Sequence, residues 1–119
     1  MSTLKVNAIQ NTSGVTQYLA KAWVNWDASS GTPTIRASGN VSSLTDNGVG
    51  DTSVNFTNAV SDANYSTVAT TSGLATGTST YMAEIHYAGA APTTSAVRIL
   101  TGYAGVGYDL AYNNVVVFR

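Results

Sequence analysis

Apolar and polar side chains alternate over short stretches of this chain, and each stretch ends in a cluster of Gly, Pro, Asn, Asp or Ser. A period of two sends one parity of side chains toward a core and the other toward water, so the pattern predicts β-strands. Ala20 to Asp27, marked by Trp23, Val24 and Trp26, reads as a buried strand, and Ser29 to Pro33 reads as the loop after it. Thr34 to Ala37 is a short strand with Ile35 inward and Arg36 outward. Asp62-Ala63-Asn64 forms a turn before the alternation of Tyr65 to Thr71, and Ser72 to Thr78 is a glycine-containing connection. Thr80 to Ala88 sets Met82, Glu84 and His86 opposite Tyr81, Ala83, Ile85 and Tyr87. Gly89 to Thr94 breaks the run, Ala96 to Thr101 resumes it, Gly102 to Gly107 is a loop or bulged bend, and Leu110 to Phe118 closes the chain with Asn114 between apolar runs.

Val41 to Phe56 carries the strongest local signal. Two short strands flank Asp46-Asn47-Gly48 and Gly50-Asp51, residues that tolerate the positive φ of hairpin turns. About five residues between the strands predict a looped hairpin with a bulge rather than the tightest two-residue form. At the other end, Thr3 to Ile9 alternates Leu4, Val6 and Ala8 against Lys5, Asn7 and Ile9. It reads as a short strand or extended arm ending at Asn11 to Gly14, and it needs a partner to become ordered. No helix-length window shows apolar residues at i, i+3, i+4 and i+7, and β-branched and aromatic residues dominate the periodic segments. Seven to nine short strands predict an all-β chain: an arm over residues 1–14, then one antiparallel β-sandwich or jelly-roll-like domain over 15–119.

Composition narrows the function classes. The 119 residues suit one domain, and charged residues make up only 9%, against roughly a quarter in ordinary soluble domains. A net charge of −1 gives little drive toward nucleic acid or an anionic membrane, and little repulsion between copies. The absence of cysteine removes disulfides, thiolate metal sites and a cysteine nucleophile. There is no run of about 18 apolar residues to span a membrane, and the first residues lack the apolar core of a secretory signal, so synthesis in a cytosol is expected.

Several clusters invite a chemical reading. Glu84 and His86 share one face of a strand, as an acid–base pair would, but a single histidine leaves a metal short of ligands. Asp46, Asn47 and Asp51 offer oxygen ligands without the calcium-loop spacing, and turns use the same residues. Trp26, with Tyr103, Tyr108 and Tyr112 around a glycine-rich stretch, suggests an adaptable tip that contacts a ligand. Trp23 and Trp26 are three apart, so in a strand they face opposite sides and one belongs to the core. The five Lys and Arg residues are scattered, and neither a dinucleotide fingerprint nor a G-x-S-x-G elbow is present. No catalytic residue, metal ligand or cofactor is expected.

Two blocks resemble parts of a known group of proteins. Met1 to Gln10, followed by Thr12-Ser13-Gly14, resembles the start of many tailed-phage fibre and virion proteins, especially from marine phages. Lys21 to Asp27, Ile35 to Gly48, Gly50-Asp51, Val54 to Thr57 and Asp62 to Tyr65 are similar to a β-rich module of phage tail fibres. The resemblance covers roughly residues 1 to 65 and implies a structural or adhesive virion protein without catalytic residues. No long shaft or coiled-coil repeat accompanies the module, which implies a short piece: a tail-tip or fibre subunit, or a capsid decoration protein. It also implies a homotrimer that docks to other virion proteins through the arm residues Leu4, Val6 and Ile9. The alternative expectation is a host-surface carbohydrate-binding module. Neither a nucleic-acid partner nor membrane insertion is expected.

Overall fold

Nine strands form in the computed structural model, which describes residues 2–119. They are β1 (Ala20–Asp27), β2 (Thr34–Gly39), β3 (Val41–Gly48), β4 (Asp51–Phe56), β5 (Ser66–Thr71), β6 (Met82–Ile85), β7 (Ala96–Tyr103), β8 (Val106–Gly107) and β9 (Asn113–Phe118). Every pairing between them is antiparallel. One sheet has the order β2-β1-β9-β5, and the other β3-β4-β7-β6 with β8 beside β7. The two sheets pack face to face as a sandwich, an arrangement compatible with a jelly roll.

Alternation determines what lies between the sheets. Ala22, Val24 and Trp26 of β1 and Val115 and Val117 of β9 point inward from one sheet, and Val54, Phe56, Val97 and Ile99 answer from β4 and β7. Each large apolar side chain closed off in this way contributes on the order of 1.5–3 kcal/mol. Asn113 sits among them fully buried, yet its polar atoms are satisfied. Its amide donates to Leu110 O at 2.8 Å and Trp26 O at 3.3 Å, and its Oδ1 accepts from Thr71 Oγ1 at 2.6 Å. Tyr65 packs edge-on against Phe56 and donates its hydroxyl to Thr93 O and Ala96 O, tying the start of β5 to the opposite sheet. Burial raises its phenol above the ordinary value.

The chain changes sheets between β2 and β3 at Asn40, which adopts φ 54°, a left-handed conformation that Asn tolerates better than most residues. Its side chain holds the corner, donating to Lys21 O and Asn58 O and accepting from Asn58 N.

Three expectations need correction. The central hairpin does pair Val41 with Phe56, but only Val49 and Gly50 separate its strands, with a register irregularity between Asp46 and Gly48. Gly50 makes the short turn possible. At φ 67° it lies in the region that favours glycine, and a Cβ there would overlap Thr101 O and Tyr108 N. Thr80 to Ala88 yields only Met82–Ile85, because the chain already turns at His86: Tyr87 N bonds Ile85 O, and Ala90 N bonds His86 O. Gly102 to Gly107 is a hairpin in which Gly102 pairs with Gly107 and Tyr103 with Val106, with positive φ at Ala104 and Gly105. Of the two readings of Thr3 to Ile9, the segment joins neither sheet and is extended rather than a strand, and the first strand begins at Ala20.

Candidate functional site

The arm has the least support from the rest of the chain. Leu4 is 87% exposed, and Val6 and Ile9 are also open to solvent. Among the described residues its only regular feature is a small turn over residues 9–17. There Gln10 bridges to Thr16, Gln17 N donates to Ile9 O, Asn11 N donates to Val15 O, and Asn11 Oδ1 caps the turn by accepting from Ser13 N and Val15 N. The molecule measures 47 × 29 × 27 Å, with a radius of gyration of 15.8 Å. A compact chain of this length has about 13.5 Å, and the excess matches a segment that leaves the sandwich. Its root, at Gln17 to Leu19, borders a groove of about 450 Å³ together with Ser66, Phe118 and Arg119. At the rim of that groove Arg119 grips Asp62 with two hydrogen bonds, holding the Asp62 carboxyl down at about 2.

A second site forms where the β3–β4 turn meets β6 and the β7–β8 hairpin. The groove between them holds about 320 Å³ and is lined by Asp51, Glu84, Met82, Leu100 and Val106. Asp51, 14% exposed at its side chain, receives two hydrogen bonds of 2.7 Å from Arg98, which lower its pKa below the ordinary value, with His86 adding a smaller effect. His86 Nδ1 lies 3.5 Å from Asp51 Oδ2 and has no hydrogen-bond partner. His86, just past β6, therefore faces Asp51 of β4 on the far side of β7, while Glu84, its expected partner, lines the groove. A carboxylate committed to arginine in this way acts as a clamp between β4 and β7. Asp46 and Asn47 serve the turn: Asp46 accepts from Gly48 N, and Asn47 donates to Ser53 Oγ. Among the described residues no group of three His, Cys, Asp or Glu could hold a metal ion.

The aromatic residues separate into three settings. Trp26 is 1% exposed and belongs to the core, out of reach of a ligand in solution. Tyr103 and Tyr108 do come together, through Tyr81, at ring distances of 5.7 and 5.2 Å, and desolvation with the two neighbouring phenols raises the Tyr81 pKa. Tyr112 stands apart, with the Arg36 guanidinium 4.2 Å above its ring. Arg36 also bonds Asp27, whose carboxyl is lowered first by the Ser29 hydroxyl and amide.

Trp23, like Tyr81, lies outside the expected set of ligand contacts. It is 42% exposed and lies over Gly39, where any Cβ would overlap the indole. Across the outer face of the same sheet it pairs in register with Val116, which pairs with the exposed Val68, giving one apolar rung over three strands. Parity is the signal that identifies it: Ala22, Val24 and Trp26 share one parity, and Lys21, Trp23, Asn25 and Asp27 the other.

In comparisons with known proteins, no family model, no curated protein and no solved structure matches the chain.

Proposed function

We propose that this chain is a non-enzymatic structural protein of a tailed-phage virion, a tail-fibre or tail-tip subunit or a capsid decoration protein. It acts by self-assembly as a homotrimer and by docking to other virion proteins. The observation that carries the reading is the contrast between a sandwich with a closed core and an arm whose Leu4, Val6 and Ile9 lie exposed outside that core. An alternating, unpartnered segment of this kind binds by adding a strand or by filling a neighbour's groove. The resemblance of residues 1 to 65 supplies the virion setting, and the low charge leaves copies free to approach. Deleting residues 2–14 is expected to abolish incorporation into particles while the sandwich stays folded. Normal incorporation of the shortened chain would refute the role of the arm.

A second reading, a module that binds host-surface carbohydrate, draws on Trp23 and Tyr103, whose rings are open to solvent on the body of the protein. Flat aromatic faces of this kind suit the apolar face of a sugar ring. It predicts that a host glycan perturbs the indole NMR signal of Trp23 and leaves that of buried Trp26 in place. Unchanged Trp23 and Tyr103 signals at saturating glycan would reject it.

A further inference from the structure

A strand paired on one side only presents free N–H and C=O groups to any other extended chain, and proteins blunt such edges with charge, proline, bulges or shortness. Most edges of this sandwich are blunted. β2 has a register shift opposite Asn25 and Trp26, and its Arg36 folds back onto Asp27. β3 carries Asp46 and two register shifts. β6 has four residues including Glu84, and β8 has two. β5 is different. Its six residues, Ser-Thr-Val-Ala-Thr-Thr, run in unbroken register along β9 with no charge, proline or bulge, and among the described residues no strand hydrogen-bonds along their other side, although β6 of the opposite sheet lies close by.

The arm is the natural complement to that edge. Leu4 to Ile9 matches β5 in length, alternates along its course, and joins neither sheet. Val68, 54% exposed on β5, ends the apolar rung begun by Trp23 and Val116, so an added strand would find an apolar neighbour waiting beside it. The turn over residues 9–17 stands between this segment and β1, and the segment itself is exposed.

We infer that Leu4–Ile9 of a second copy adds to the free edge of β5, extending the sheet to β2-β1-β9-β5-arm. This rests on the self-assembly reading above and names its acceptor. Backbone hydrogen bonds supply the pairing, and the alternate side chains set its register.

The test follows the full-length protein across concentration by native mass spectrometry and residue-resolved hydrogen exchange. The expected result is a discrete oligomer whose formation slows exchange, by at least about tenfold, both within Leu4–Ile9 and at the amides of Ser66–Thr71 that point away from β9. Leu4→Lys/Val6→Lys disables the arm, and Val68→Lys/Thr70→Lys charges the edge at exposed positions. Each double variant is expected to keep the melting temperature of the body and to associate at least about tenfold more weakly. Mixed together they regain a 1:1 dimer, since each supplies the half that the other lacks. Undiminished association in both variants, with no protection at β5, would overturn strand addition and leave self-assembly standing. Slow exchange in a monomer at the β5 amides that point away from β9, independent of concentration, would place the chain's own arm there and overturn exchange between copies. A protein that stays monomeric at every concentration, with fast exchange at β5, would overturn this inference and the self-assembly reading together.

Discussion

β1 and the arm are two alternating segments of one chain in opposite circumstances. β1 lies between β2 and β9, and its Ala22, Val24 and Trp26 are sealed from water. Leu4, Val6 and Ala8 alternate just as regularly, yet Leu4 is almost fully exposed and no strand flanks it. Alternation therefore decides which side chains share a face, while the presence of a partner decides whether that face is buried. The partner of β1 comes from the far end of the same chain, through pairings such as Trp23 with Val116. Among the described residues the arm has no such partner.

The largest expected effect comes from breaking the closed side of this contrast. Trp26→Ala should cost about 3–5 kcal/mol in denaturant unfolding, as large-to-small changes of core aromatics do. Trp23→Ala, three residues away on the solvent side, should cost less than about 1 kcal/mol. Equal costs would mean that the parity assignment of β1 is mistaken. Next comes Asn113→Ala, which takes one of the donors from each of the Trp26 and Leu110 carbonyls and leaves the hydroxyl of Thr71 without its acceptor, at about 1–3 kcal/mol. A neutral result would show that water replaces the side chain.

The Asp51–Arg98 clamp gives a pH-dependent prediction of about 1.5–3 kcal/mol at neutral pH for hydrogen bonds to a charged group. Asp51 has a folded pKa below its ordinary value of 3.8, so its stabilisation is complete above that value and is lost as pH falls through the lower folded one. Asp62, held at about 2 by Arg119, follows the same sign between 3.8 and about 2. Asp51→Asn should flatten the acid limb of the stability curve. An unchanged limb would assign acid unfolding to other groups. The smallest effect belongs to the arm: Leu4→Ser/Val6→Ser should shift monomer unfolding by no more than about 0.5 kcal/mol, and a larger change would show that the arm packs on its own sandwich.

The all-β class and most strands were legible in the sequence because apolar parity and turn residues are local signals. Ala20 to Asp27 forms as read, and the Val41 to Phe56 hairpin pairs as read although its turn is tighter. Thr80 to Ala88 was read too long because alternation continues through residues whose backbone has already turned at His86. The sites were less legible, since they depend on pairings across the chain. Asp51 and Arg98 are brought together only by the β4–β7 register, which pairs Asp51 with Leu100 and Ser53 with Arg98. Tyr112 lies near Tyr108 in sequence but is drawn to Arg36 of β2. Trp23 was within reach of parity alone, and its flat seat on Gly39 was not, because that depends on the β1–β2 register.

The most direct test of the account is the solution mass, by light scattering, of the full chain and of the chain lacking residues 2–14. The account predicts a discrete oligomer for the full chain and a folded monomer with an unchanged melting temperature for the shortened one. Equal masses for the two would contradict it, since the arm would then have no part in joining copies.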